Sequence, residues 1–215
     1  MDTSAAASTG RSPAESEPGR HYAGRSPDER RQQRRQRLVR AGFEVFGTVG
    51  YDDATIALLC ATARVGTKAF YEEFPSREAL LLAVATEVVA DAATHLESAL
   101  TAAPHDLEQR VRAGLTAYIG YLTEDPRRVR IAYREIRMAP LEAERQFASV
   151  AFASLVSAQV QELGIGGHAR DNLLLALALT GGVGELLNYW TGAAEKPSTE
   201  RLVAEMTRLF VAALR

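Results

Sequence analysis

The sequence predicts an all-α fold, and three observations carry that prediction. Apolar residues recur at i, i+3 and i+4 spacing from Leu38 to Leu214. No run combines strand alternation with hairpin turn chemistry. Proline, glycine and short polar residues fall between the periodic runs, where they start and stop helices. The 215 residues, 47% apolar and 24% charged, suit one or two soluble domains with a core of their own. A single cysteine, Cys60, excludes an internal disulfide and fits a reducing, cytoplasmic setting. The longest uncharged apolar stretch, residues 172–184, is too short to cross a bilayer, and the N-terminus has no apolar signal core. Membrane, secreted and disulfide-scaffold classes are therefore not expected.

Residues 1–25 are rich in Ser, Ala, Gly, Pro and Arg. They offer too little apolar surface to offset the entropy of ordering, so a disordered arm is expected. Order begins at Ser26-Pro27-Asp28-Glu29: a cap, a proline suited to the first helical position, and the Glu of a capping box. The first helix carries Leu38, Val39, Gly42, Phe43, Phe46 and Val49 and stops at Gly50. Thr55 caps a short second helix to about Thr62, and a third runs from about Thr67 to Phe74, ended by Pro75. Ser76-Arg77-Glu78 opens a long fourth helix to about Ala102. Further helices start at Pro104 to Asp106, at Pro126 and at Pro140, the last running through Phe147 and Leu155 to Gly164. One from about Ala169 to Gly192 and one capped by Ser198 complete about nine.

The net charge of −2 gives no global sign of a nucleic-acid partner, but the charge is unevenly placed. Arg30, Arg31, Arg34, Arg35, Arg37 and Arg40 are six arginines in eleven residues with no acid among them. Such a run suits a phosphate backbone or a plain solvated helix face. Arginine outnumbers lysine 23 to 2 in the whole chain, which weakens any argument from arginine count alone. Helices two and three, joined by Ala63-Arg64-Val65-Gly66, have helix-turn-helix spacing over about residues 55–74. Helices so short are unstable alone. Ile56, Leu59, Cys60, Val65, Phe70 and Phe74 are spaced to pack them against Phe43 and Phe46. In such a unit the second short helix enters the major groove with its N-terminal residues at base edges.

Residues 34–81 resemble the tetracycline-repressor-like (TetR) family of bacterial regulators. The likeness runs through Ala41…Phe46, Gly50-Tyr51, Thr55-Ile56…Leu59 and Ala63-Arg64-Val65. It continues through Phe70-Tyr71-Glu72-Glu73-Phe74 and Ser76-Arg77-Glu78-Ala79-Leu80, without a gap. Beyond residue 81 it is architectural, with further helices and Trp190 late in the penultimate one. The resemblance implies a DNA-binding domain at residues 26–75 and a ligand-binding and dimerisation domain at 76–215. Thr67 and Lys68 fall where the family reads bases. Thr55, Tyr71 and Arg77 fall where it meets phosphate, and Arg34 and Arg35 lie on the basic helix beside them.

Three positions depart from the family pattern. Arg64 stands where the turn usually has Gly, and costs roughly 1 kcal/mol if it adopts positive φ. Gly66 replaces the usual Ser cap. Glu73 replaces a residue that often touches phosphate. Glu72 and Glu73 repel DNA if they face it; Glu72 can instead accept from cytosine N4, or both can point to solvent beside the groove.

A single helix-turn-helix buries too little surface for tight specificity, so a homodimer on an inverted repeat of double-stranded operator DNA is expected. Thr180-Gly181-Gly182-Val183-Gly184 lets a second helix approach closely, or else kinks its own. The family further implies a pocket for a small-molecule effector. Its candidates are Tyr118, Tyr121, Tyr133, Arg134, Arg137, Met138, Phe152, Asn188, Tyr189 and Trp190, and an inward-facing Arg134 or Arg137 would suit an anionic ligand. His21, His95, His105 and His168 form no metal-ligand pair, and no nucleotide loop or nucleophile elbow is present. No metal, cofactor or enzymatic activity is expected. The expected function is a ligand-responsive transcriptional regulator, by family default a repressor. The alternative is a helical dimeric binding module without specific DNA binding.

Overall fold

The computed structural model of the chain describes residues 26–162, 164 and 169–215. The expected disordered arm, His21 and His168 lie outside them, as do the side chains of Phe147 and Leu155. The described residues are helical without a strand. The helices are α1 (Pro27–Thr48), α2 (Ile56–Ala63), α3 (Thr67–Glu73), α4 (Arg77–Ala102) and α5 (Leu107–Glu124). Then come α6 (Pro126–Val129), a π-helical segment (Arg130–Glu135), α7 (Ile136–Met138), α8 (Glu142–Glu162), α9 (Ala169–Gly192) and α10 (Thr199–Leu214).

Local chemistry sets most of the boundaries. The Ser26 hydroxyl accepts from the Glu29 amide at 3.1 Å, and the Ser26 amide donates to the Glu29 carboxylate at 2.7 Å. Thr55, Ser76, Asp106 and Ser198 each cap their helix by accepting a backbone N–H. The single helix expected from Pro126 differs: its middle is widened into a π turn. α9 stays helical through Gly181, Gly182 and Gly184, so the helix is not interrupted there. Gly184 lets Tyr133 lie close, since a Cβ there would sit 3.1 Å from the Tyr133 ring. α4 and the Asn172–Gly192 part of α9 are long and apolar enough to cross a membrane, which counting uncharged residues did not reveal. Both are packed in the bundle, α4 against α5 and α1, α9 against α8.

Two clusters of buried side chains form the interior. The first holds Leu38, Phe46, Leu59, Phe70, Leu80 and Leu81, all 0% exposed, and also takes in Ile131 and Ile136. The second holds Ile119, Leu122, Leu187, Trp190, Leu202 and Phe210. Each fully buried Leu or Phe contributes roughly 1.5–3 kcal/mol. Phe43, half-buried, touches both clusters, and the Arg127 guanidinium lies 4.9 Å above its ring.

Polar contacts lock the end of α1 onto the π-helical segment. The buried Glu135 carboxylate accepts from the Tyr51 amide at 2.6 Å and from Arg130 Nε at 2.7 Å. Arg130 Nη1 donates to the Thr48 carbonyl at 2.7 Å, satisfying a carbonyl that the end of α1 would otherwise leave orphaned. Gly50 has φ 91°, and a Cβ on it would lie 2.5 Å from Arg130 Nη2. Alongside, Arg127 Nη1 pairs with Glu44 at 2.7 Å.

Arg64 ends α2 at φ 54°, ψ 50°, the left-handed conformation anticipated for the turn. Arg64→Gly should therefore raise stability by about 1 kcal/mol, whereas Gly50→Ala should lower it by about 1–2 kcal/mol. Urea unfolding midpoints should move in opposite directions for the two variants; equal shifts would contradict this account of the turns.

Candidate nucleic-acid interface

α2 and α3 meet through a turn in which the Arg64 and Val65 amides donate to the Ala61 and Cys60 carbonyls at 3.2 and 3.0 Å. Phe70 at 0% and Cys60 at 5% exposure pin α3 against α1 and α2, and burial pushes the Cys60 thiol pKa up. With Phe70 inward, Thr67, Lys68, Tyr71 and Glu72 are left exposed. Tyr71 is 53% exposed although it is a large aromatic side chain. A cleft of about 300 Å³ lies beside this face, lined by Thr55, Ile56, Tyr71, Pro75, Ser76, Arg77 and Glu78. The fold thus brings together Thr55, Tyr71 and Arg77 around one cleft, with Thr67 and Lys68 one turn away on α3. Gly66 precedes α3 without a side-chain cap, so the first amides of α3 carry no protein side chain as partner.

Arg77 lines the cleft but its guanidinium turns inward. It lies 4.0 Å above the Tyr51 ring and donates to the carbonyls of Tyr51 at 3.0 Å, Ala54 at 3.2 Å and Asp52 at 3.5 Å. The Tyr51 hydroxyl donates to Glu78 at 2.5 Å, and Arg77 Nε lies 3.5 Å from the same carboxylate. That hydroxyl holds the Glu78 pKa down at about 2. Burial, then the bond to Glu78, pushes the Tyr51 phenol up. This group joins the α1–α2 loop to the start of α4, and sequence reasoning missed it. The aromatic Tyr51 one residue after the Gly50 stop was its only signal.

The arginine run is also engaged internally. Glu73, expected at the surface, is buried with its side chain 1% exposed, and Arg34 and Arg31 reach it at 3.0 and 3.4 Å. Arg35 donates to the Glu73 carbonyl at 3.3 Å and stacks 4.4 Å above Phe74. Arg37 reaches the Arg64 carbonyl at 3.5 Å. Glu72 does point outward, 3.7 Å from Arg34. The reason for the inward Glu73 is position: it ends α3 where α1 passes, and the α1 arginines supply the counter-charge that a buried carboxylate needs.

In the C-terminal helices the ten pocket candidates separate. Tyr118, Tyr133 and Phe152 come together: the two hydroxyls are 2.6 Å apart, and Phe152 lies 5.3 Å from the Tyr118 ring. Burial raises both phenols, Tyr133 to about 12. Tyr121 stands apart, donating to Asp91 at 3.1 Å between His95 and Arg128. Arg134 and Arg137 are exposed, and Arg137 pairs with Glu185 at 2.8 Å. Neither faces the interior, which corrects the expectation of an inward cation for an anionic ligand. Asn188 donates to Glu185 at 3.4 Å, Met138 and Tyr189 are exposed, and Trp190 donates to the Pro197 carbonyl at 3.0 Å. Among the described residues, no three metal-ligating side chains cluster.

Residues 38–84 match the family described as bacterial regulatory proteins, tetR family. The chain carries the TetR-family DNA-binding domain. Solved regulators share its fold over most of the chain. The fatty acid degradation regulator FadR from Bacillus halodurans is 18% identical with a TM-score of 0.69, over 89% of this chain and 98% of that one. FadR from Bacillus subtilis, solved in complex with stearoyl-CoA, is 16% identical with a TM-score of 0.67, over 84% and 99%. A TetR-like regulator from Rhodococcus sp. RHA1 is 17% identical with a TM-score of 0.63, over 84% and 95%. At these identities the likeness is one of fold. No curated protein matches the chain in sequence.

The low Glu78 pKa makes a pH prediction. Its carboxyl is depressed in the folded state from 4.5 to about 2, so its contribution is full above pH 4.5 and fades as pH falls toward 2. The stability difference between the native protein and Glu78→Gln should shrink over that window in urea titrations. A difference independent of pH would show that the Tyr51–Glu78 bond does not govern the titration.

Proposed function

We propose that this TetR-family chain is a dimeric, ligand-responsive repressor that binds an inverted-repeat operator in the cytoplasm. The observation that carries the DNA-binding part is the outward face Thr67–Lys68–Tyr71 beside the Thr55–Arg77 cleft. Thr67 and Lys68 read base edges from the first turn of α3, and Tyr71 and Thr55 meet phosphate through hydroxyls. Arg34, Arg35 and Arg77 act chiefly as braces that hold α3 and the α1–α2 loop in register. Residues 26–75 form the DNA-binding domain and 76–215 the sensor and dimer domain. The inward turn of Glu73 takes away the main ground for a binding module without DNA function.

The dimer reading rests on α9. Leu174, Ala178, Gly181, Glu185 and Tyr189 are exposed at successive helical turns, with Leu174 and Tyr189 62% and 64% exposed. Leu174 and Tyr189 at the two ends of this stripe, with the small residues Ala178 and Gly181 between them, suit close approach of the same helix from a second copy. The sensor reading rests on the bonded pair of buried Tyr118 and partly buried Tyr133 at the second core, next to Phe152. With Arg134 and Arg137 both turned outward, the ligand that matches this pair is apolar with one hydroxyl or carbonyl group. The long acyl chain bound by FadR of Bacillus subtilis is of that apolar kind.

Selection from random-sequence duplex DNA at moderate salt tests the whole reading. The expected result is enrichment of an inverted repeat; a folded dimer that enriches nothing refutes it. Tyr71→Phe should weaken binding by roughly tenfold or more on all sequences, the loss of one hydrogen bond to a charged group. Lys68→Ala should change preference at particular positions instead. The double change Leu174→Glu and Tyr189→Glu should give a folded monomer in sedimentation and abolish tight operator binding; a dimer of unchanged affinity would rule out the α9 interface.

A further inference from the structure

We propose that Glu73 is a specificity-determining residue, which withholds Arg31 and Arg34 from indiscriminate phosphate binding; this rests on the DNA-binding reading above. Both arginines stand at the surface next to the outward face of α3. The Arg31 side chain is 66% exposed and the Arg34 side chain 30%, and Arg34 also lies 3.7 Å from the outward Glu72, the neighbour of Tyr71. Position alone would make them phosphate ligands. The Glu73 carboxylate between them is instead almost fully buried, 3.0 Å from Arg34 and 3.4 Å from Arg31. If a phosphate drew the arginines away, that carboxylate would be left buried without its counter-charge, which is costly. Phosphate must therefore compete against a partner that cannot be resolvated.

Sequence-independent affinity for DNA comes from cations that replace condensed counterions, one per phosphate neutralised. Two arginines held by Glu73 do not contribute to it. Affinity then depends more on Thr55, Lys68 and Tyr71, which engage together only when α3 sits in register. The acidic residue at a position where the family often touches phosphate thus lowers binding everywhere but loses least at the operator, so the ratio of specific to nonspecific affinity rises.

The test uses the full chain, a random-sequence duplex and the selected operator, each over a series of salt concentrations. Glu73→Gln should bind the random duplex more tightly, with a salt slope steeper by about 1–2, and its preference for the operator should drop about tenfold. Arg31→Ala alone should leave the slope on random duplex unchanged, yet should remove about one unit of slope in the Glu73→Gln background. The proposal is overturned if Glu73→Gln, with its thermal midpoint near native, leaves the slope unchanged. It is equally overturned if Arg31→Ala alone lowers the native slope by about one. Should Glu73→Gln not fold, the Arg31→Ala slope still decides. If the native protein selects no operator, the regulator reading fails, while both random-duplex measurements still judge the role of Glu73.

Discussion

The carboxylate of Glu135 is the point through which the two halves of the molecule are tied. It is buried, it accepts the Tyr51 amide and Arg130, and Arg130 in turn holds the Thr48 carbonyl at the end of α1. Everything in the loop after α1 follows from that anchorage. Tyr51 is fixed by its amide, so its ring can carry Arg77 and its hydroxyl can reach Glu78. Arg77 then gathers the carbonyls that lead into Thr55, and Thr55 starts α2. The helix-turn-helix therefore hangs from a buried charge in the C-terminal helices. A buried carboxylate stripped of its partners costs several kcal/mol, so this anchorage is either made in full or lost in full.

The same logic governs the arginines. A run of six on one helix invites a reading as a phosphate track, and the structure uses four of them as struts instead. Arg31 and Arg34 neutralise Glu73, Arg35 covers Phe74, and Arg37 holds the Arg64 carbonyl. Among the described residues, Arg30 and Arg40 make no side-chain bond or ion pair. A seven-residue α3 cannot hold its own orientation. The guanidinium forks supply rigidity that its length does not: Arg31, Arg34 and Arg35 act at its far end and Arg37 at the turn before it, while Thr67 and Lys68 stay outward.

Local signals made the helices readable from sequence. Ser26, Thr55, Ser76 and Ser198 cap where short polar side chains precede apolar periods, and Arg64 adopts positive φ at the turn position where glycine is usual. The outward α3 residues were readable because Phe70 fixes the phase of that helix. What could not be read were contacts between charges far apart in the chain: Glu73 with Arg34, Arg77 with Tyr51, Glu135 with Tyr51. Each charged residue, taken alone, is equally consistent with solvent. The π turn has the same origin. Nothing in Arg130–Glu135 breaks helical periodicity; the widening accompanies side chains that must meet α1 on one side and Tyr118 on the other. Gly50 was readable as a stop, but its closeness to Arg130 was not.

That double attachment bears on how a ligand would act in the proposed regulator. Tyr133 lies within the same six-residue segment as Arg130 and Glu135. Its hydroxyl bonds Tyr118 of α5, while its neighbours hold the end of α1. A molecule that replaced the Tyr118–Tyr133 bond would have to shift this segment, and the segment cannot shift without disturbing the Glu135 contacts. Coupling between effector and operator amounts to about 1–3 kcal/mol in such systems. One hydrogen bond to a charged group is worth about 1.5–3 kcal/mol. The Glu135 contacts together are therefore worth at least that much, enough to couple a shift of this segment to the end of α1.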